Sequence, residues 1–460
     1  MSGLTLERLH RLADPGSFEP FAGMDGSGSV FGALATAGRP AYVLATDVDQ
    51  PPRVSLFETI SRQNAFLEHV LAHPAPLIQL LDVPPHMRAL QGKTPIPPDA
   101  LRLLADSHGV GRGYALRARL EGLVPRVCLL FGPIGAALSF PSALCDALVM
   151  LEDAALCIGR PDAVTLMTGQ RTTFERLGGA RMHATVTGTA HRLASTEDGA
   201  LAWARHWLGF LPDRSGAPLP EHAPVPPRGR MEAAAAAAGA GLNTPFPMRE
   251  LLEALVDGGS WLEMGELHAG ECLTGFCRLG GRPVAVLASN SRERGGILFP
   301  ETCRKMTRFI RFCGWFGLPT LFLADTPGFM VGEEVERQGN VQAAAELYTA
   351  IATSPAPKAC LVARKAYSAG LYAMAGPGFD AAFWAAPGAS ISVFGPEALR
   401  RFGQDRDMPP AAQQAAAAML EGALHPELLA QQGLLDQVLP WERLREQLME
   451  FAACNNGPQA

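Results

Sequence analysis

No run of about 18 uninterrupted apolar residues occurs in the chain, so no segment reads as a membrane-spanning helix. The opening stretch, Met1–Gly16, lacks the basic-then-apolar pattern of an export signal. Charge is scarce at 18%, and 39 basic against 45 acidic residues leave a formal net charge of -6, which argues against nucleic-acid binding. Nine cysteines, an odd number spread thinly, do not make a disulfide framework. The closest spacing, Cys272 and Cys277, has no second pair to complete a zinc site, so buried thiols and no metal are expected. Gly-x-Ser-x-Gly, His-Glu-x-x-His and the Gly-x-x-x-x-Gly-Lys-Ser/Thr phosphate loop are all absent. These gaps exclude the common nucleophile, zinc-protease and nucleotide-loop chemistries. What is present is a 48% apolar composition over 460 residues, enough for two domains of substantial core. A cytoplasmic protein with no membrane or nucleic-acid partner is the expectation.

The clearest boundary lies between Arg214 and Asn243, where a Pro-rich stretch (Ala217–Pro227) runs into Ala233–Ala238, closed by Gly239 and Gly241. Proline and glycine at this density punctuate rather than build. Alanine has the best helix propensity, so the run alone is compatible with a short helix, but a connector is the reading adopted. The expected division is therefore 1–213, a linker at 214–243, and 244–460. The halves resemble each other. Gly32, Gly38-Arg39-Pro40 and Val43-Leu44-Ala45 match Gly275, Gly281-Arg282-Pro283 and Val286-Leu287-Ala288 at a constant offset of 243 (275 − 32). Pro76 and Asp82 fall on Pro319 and Asp325 at the same offset (325 − 82). Between them lies a helical pattern, Leu56, Ile60, Leu67 and Val70 in one copy and Phe299, Cys303, Ile310 and Cys313 in the other. Further on, Pro125–Leu129 echoes Pro357–Leu361 at an offset of 232 (357 − 125). An internal duplication follows. Each copy reads as hairpin, helix, strand ending in aspartate, helix, strand, small-residue turn and helix, which is an α/β order.

Two places in the second copy suit chemistry. The strand Leu321–Ala324 runs into Asp325-Thr326-Pro327-Gly328-Phe329, where open α/β sheets bind ligands beyond the strand's carboxyl end. The competing role for Asp325 is to cap backbone N–H groups of an ordinary turn. The second place is Ser368-Ala369-Gly370, which follows the strand Cys360–Val362. Small residues there let a ligand approach the backbone, and a helix start leaves N–H groups unpaired. One well-placed donor to an oxyanion contributes about 3 kcal/mol to a transition state. The first-copy counterpart is Gly132-Pro133-Ile134-Gly135-Ala136-Ala137. Tight helix–strand packing selects the same small residues. His183 and His191 sit among polar residues and read as structural.

With these residues in view, the chain resembles the carboxyltransferase (beta) subunits of biotin-dependent acyl-CoA carboxylases, the propionyl-CoA and methylcrotonoyl-CoA carboxylase group. The likeness runs almost end to end: Leu12–Phe18, Leu177–His183 with Thr187-Gly188, Pro247–Glu250, Phe309–Cys313, Asp325–Phe329, Arg364–Tyr367 and Gly433–Asp436 occur in family order. The resemblance implies two crotonase-like (ClpP/crotonase) α/β domains, the amino-terminal one for acyl-CoA and the carboxyl-terminal one for carboxybiotin. It further implies an active site formed by two subunits, commonly in a hexamer, and two enolates held by backbone amides. By position Ala136 and Ala137 match the first pair of donors and Ala369 and Gly370 the second. Gly135, Asp325, Pro327, Gly328, Phe329, Ser368 and Tyr372 become substrate-binding candidates. No Ala-Met-Lys-Met biotin attachment site occurs, so biotin must arrive on a separate carrier or biotin carboxylase subunit. The expected activity moves a carboxyl group from carboxybiotin to the α- or γ-carbon of an acyl-CoA.

Departures from the family pattern concentrate in the first half. Ala136-Ala137 stand where glycines are usual, and alanine resists φ > 0. Asp82-Val83-Pro84-Pro85-His86-Met87 removes two amide donors at its prolines. Gln342-Ala343-Ala344 replaces Arg-His-Gly, and the segment around Ala411–His425 is shortened. These changes keep two alternatives open: a biotin-independent decarboxylase of malonyl-type thioesters, and a non-catalytic homologue acting in complex assembly. Arg39, Arg249 and Lys365 are candidates to meet phosphates, although exposed basic residues are usually just solvated.

Overall fold

The hairpin signals set the frame of each half. In the first, β1 (Glu19–Pro20), β2 (Ser29–Thr36) and β3 (Arg39–Thr46) are antiparallel, and Ala37 (φ 52°) and Gly38 (φ 75°) make the two-residue turn between β2 and β3. Two consecutive positive φ values match the twist of a tight hairpin. The Asp14 carboxylate accepts both turn N–H groups, at 3.0 and 2.6 Å. From β3 the sheet turns parallel through β4 (Leu77–Leu81), β5 (Arg126–Leu130), β7 (Ala147–Leu151) and β9 (Arg192–Ala194). A separate parallel pair, β6 (Pro133–Gly135) with β8 (Ala155–Cys157), extends beyond the end of β5. The computed structural model describes residues 3–84, 99–404 and 408–454.

The second half repeats this plan strand for strand. β10 (Leu262–Glu263), β11 (Cys272–Leu279) and β12 (Arg282–Ser289) are antiparallel, and β13 (Thr320–Thr326), β14 (Lys358–Tyr367), β15 (Ala381–Ala385) and β17 (Gln437–Val438) continue in parallel. β16 (Ser390–Ser392) pairs with the end of β14, as β8 does with β6. Gly280 and Gly281 form the hairpin turn, and Asp257, which is 243 residues after Asp14, accepts both of their N–H groups at 3.0 and 2.7 Å. The duplication therefore includes the turn's own anchor.

Chain contacts divide the protein into Met1–Pro218 and Leu219–Ala460. Most of the segment expected as a linker thus belongs to the second unit. Met231–Ala238 is a helix, and Ala234 is buried in a core with Phe246, Leu251 and Leu255. Alanine's small side chain lets that helix lie close against Met248–Leu255, which is why the run is structure and not spacer. The two long helices flank their sheets as the spacing predicts. Pro300–Trp315 buries Cys303, Ile310 and Cys313. Leu56–Ala72 buries Leu67 and Val70, but Leu56 is 46% exposed, and Phe57 and Phe66 take the core positions instead. Cys272 and Cys277 are buried free thiols. Burial pushes the Cys272 thiol up to about 12.

Candidate active site

The two halves carry the same turn at the end of the β5–β6 and β14 strands. In the second unit Ser368 has φ 52° and ψ −140°, a backbone that side-chain-bearing residues rarely adopt. Its N–H donates to Ser392 O at 2.9 Å, which ties the turn to the end of β16. Ala369 and Gly370 come next and open a five-residue helix, Ala369–Ala373. Among the described residues, no acceptor takes the N–H of Ala369 or Gly370. Ser368→Gly should relieve the strain at this position and raise the thermal midpoint by a few degrees, about 1 kcal/mol net of the extra chain entropy of glycine. Calorimetry that finds an unchanged or lower midpoint would remove strain from the account.

In the first unit Ala136 has φ 58°, and its N–H donates to Ile158 O at 2.9 Å, just past β8. Ala136 is therefore the counterpart of Ser368, at the offset of 232 already present in the sequence (368 − 136). Its amide is spent on the anchor and does not face outward. The residues that follow it, Ala137 and Leu138, correspond to Ala369 and Gly370. Of the two expected donors, the Ala136 N–H is thus already paired within the fold. Gly135 lies one residue before the turn, in β6, where its extended backbone (φ −152°) pairs with β8.

The loop after β13 packs directly on the second turn. A Cβ built on Gly370 would lie 2.6 Å from Gly328 Cα and 3.1 Å from Gly328 N, so two bare backbones touch. Gly328 (φ 115°) donates its N–H to Thr326 Oγ1 at 3.1 Å, and its carbonyl accepts from Leu298 at 2.9 Å. Thr326 Oγ1 in turn donates to Gly296 O at 2.8 Å, and Asn340 Nδ2 holds Met330 O at 2.8 Å. Pro327 is exposed, Phe329 is half-buried, and Tyr372 is 46% exposed beside the turn. Pro327, Gly328, Phe329, Ser368, Ala369, Gly370 and Tyr372 thus gather on one end of the second sheet.

Asp325 does not join them. Its side chain is fully buried and accepts two hydrogen bonds from Arg364, Nε at 3.2 Å and Nη2 at 3.1 Å. Arg364 also donates to Gly241 O at 3.0 Å and lies 5.1 Å from the centre of the Phe246 ring. A register shift makes this possible: β14 spans Val362 to Ala366 while β13 spans only Ala324 to Thr326. Such bulges re-aim side chains. Asp82, the first-unit counterpart, is likewise taken by a buried arginine, Arg8 at 2.9 Å. Of the loop that follows Asp82, Pro85, His86 and Met87 lie outside the described residues.

The other sequence candidates are engaged elsewhere. Arg39 pairs with Asp213 at 2.5 Å, Arg249 pairs with Glu263, and Lys365 donates to Leu242 O at 2.7 Å. His183 bridges Leu156 O (2.7 Å) and Thr187 Oγ1 (3.0 Å), and His191 Nδ1 accepts the Leu148 N–H at 3.1 Å, so both are structural. Two residues that were not candidates hold these segments in place, Tyr348 and Arg364. Tyr348 donates to Ala369 O at 2.9 Å from a helix 21 residues earlier, a separation with no local signal. No helix among the described residues is long and apolar enough to cross a membrane.

Two α/β units of one topology, each carrying the same anchored turn, define a two-domain crotonase-like chain. Residues 102–456 match the carboxyl transferase domain, and the chain belongs to that family of enzymes. It is 35% identical over 359 residues to the uncharacterized carboxylase YngE of Bacillus subtilis, covering 76% of this chain and 70% of that protein. It is 32% identical over 345 residues to the propionyl-CoA carboxylase beta chain of Saccharopolyspora erythraea, covering 70% of this chain and 62% of that protein. Among solved structures it is similar to the transcarboxylase 12S hexamer with hydrolysed methylmalonyl-coenzyme A bound. That similarity has a TM-score of 0.85 and 25% identity, and covers 98% of this chain and 89% of that one.

Proposed function

We propose that this protein transfers a carboxyl group from carboxybiotin, carried on a separate protein, to the acyl chain of a coenzyme A thioester. The observation that carries the reading is the repeated turn. In both units a residue of positive φ is tied down by its own N–H, so the next two amides leave an anchored turn. Such preorganised donors stabilise an oxyanion at about 3 kcal/mol each, because they need no reorganisation as charge develops.

The second unit's turn suits a ureido ring on chemical grounds. Gly328 and Gly370 offer bare backbone, two N–H groups stand without an acceptor among the described residues, and Ser368 and Tyr372 are exposed beside them. Bound there, carboxybiotin would supply the carboxyl group as CO2, and the biotin enolate left behind would take the proton from the acyl carbon. Ala369 and Gly370 would hold the ureido oxygen, with Pro327, Gly328 and Phe329 forming the wall. In the first unit Ala137 and Leu138 would hold the thioester oxygen while its neighbouring carbon loses that proton. A biotin carrier with its carboxylase, and a second copy of this chain in a homo-oligomer, are the proposed partners.

The test is incubation of the purified chain with a biotinylated carrier, its carboxylase, ATP, bicarbonate and a panel of acyl-CoAs. Avidin-sensitive carboxylation of at least one acyl-CoA is expected. Its absence across a broad panel, or avidin-insensitive CO2 release from a malonyl thioester, would overturn the proposal, the latter in favour of a decarboxylase.

A further inference from the structure

The peptide between Ala369 and Gly370 has a hydrogen bond on its carbonyl side and none on its amide side. Tyr348, on the helix Asn340–Thr353, donates its hydroxyl to Ala369 O at 2.9 Å. A peptide is planar and trans, so its C=O and N–H point in opposite directions. Whatever fixes the Ala369 carbonyl therefore also fixes the direction of the Gly370 N–H. A bond accepted at one end of an amide also polarises the donor at the other, by about 10–30% in condensed-phase estimates.

The tyrosine is itself held. Its ring meets Phe329 edge-on, with centroids 6.2 Å apart at 89°, and lies 6.0 Å from Phe379. Phe329 belongs to the loop after β13, so one side chain touches that loop and the turn after β14 together. Burial pushes the Tyr348 phenol up to about 12, which keeps the hydroxyl a donor throughout the neutral range. Bonded to the carbonyl, Tyr348 lies on the side of the peptide opposite the Gly370 N–H.

We propose that Tyr348 is a positioning residue that aims and polarises the Gly370 amide toward the ureido oxygen of biotin. This rests on the functional reading of the turn given above. Tyr348→Phe keeps the ring between Phe329 and Phe379 and removes only the hydroxyl. The expected result is a drop in kcat of about tenfold, a fraction of the 10²–10³ that loss of a whole donor costs. The KM values for acyl-CoA and carrier should stay within about twofold, because ground-state binding does not depend on the developing charge.

A second readout needs no turnover. Free biotin labelled with 13C at the ureido carbonyl is added to the protein, and its carbonyl stretch is followed by infrared difference spectroscopy. The band should sit at higher frequency on Tyr348→Phe than on the parent chain, since a less polarised donor draws less on the carbonyl. If the parent chain shows no bound-biotin band, the site reading itself falls. If the parent chain binds biotin and Tyr348→Phe leaves both the band and kcat unchanged, the positioning role is overturned while the site stands.

Discussion

Replacing Gly370 by alanine should cut carboxyl transfer by 100-fold or more while the chain still folds, on the order of what one misplaced or lost oxyanion donor costs. The added methyl would sit 2.6 Å from Gly328 Cα, 3.1 Å from Gly328 N and 3.3 Å from Thr326 Cγ2. The first two are backbone atoms and cannot rotate aside. Gly328 cannot retreat either, since its N–H is held by Thr326 and its carbonyl by Leu298. The turn must move, and both of its amides move with it. Overpacking by one methyl costs about 1–3 kcal/mol, which a unit of this size tolerates. Gly388→Ala is a control that strains the backbone without a clash: φ is positive there, at 75°, and nothing lies within 4 Å of the new Cβ. It should lose a similar amount of stability and keep its kcat. Comparison of kcat and thermal midpoint for the two variants decides the matter. A Gly370→Ala enzyme with more than about a third of parental kcat would mean that the Gly370 amide is not a donor in the reaction.

How far the sequence could foresee this site follows from what kind of information each part needs. The strands, hairpins and long helices rest on neighbouring residues: Gly-Arg-Pro followed by an apolar run is legible in ten positions, and it recurs at a constant offset. The β2–β3 and β11–β12 hairpins and the helices after them sit where that reading put them. The place of the first unit's turn needs a different kind of information. Which amides face outward depends on which residue takes positive φ, and Ala136 and Ser368 are types that avoid it. Residue type therefore does not mark the turn, while the offset of 232 aligns Ala136 with Ser368. Ala233–Ala238 shows the opposite case: its helix propensity was visible, but its burial depends on Phe246 and Leu251, which no local pattern pairs with it. Tyr348 and Arg364 are the limiting case. Each acts on a residue 21 or 39 positions away, through a helix packing and a strand bulge respectively.

The second large effect concerns that bulge. Arg364→Met should destabilise the second unit by about 3–5 kcal/mol, because it leaves the Asp325 carboxylate buried and uncompensated. At roughly 2–4 °C per kcal/mol for a unit of this size, the midpoint should fall by roughly 6–20 °C. The side chains involved are 1% and 0% exposed, so water cannot replace the lost partner. Loss of the bond to Gly241 O adds to the deficit. Replacing both residues, Asp325→Leu with Arg364→Met, removes the stranded charge and should recover more than half of the lost stability, since apolar pairs often match buried ion pairs. The double variant also separates two roles for Asp325. If the carboxylate serves only to hold β14 against β13, kcat measured below the midpoint should stay within about tenfold of the parent, far above that of Gly370→Ala. A stable double variant as inactive as Gly370→Ala would instead place the Asp325 carboxylate in the chemistry, against the geometry that encloses it.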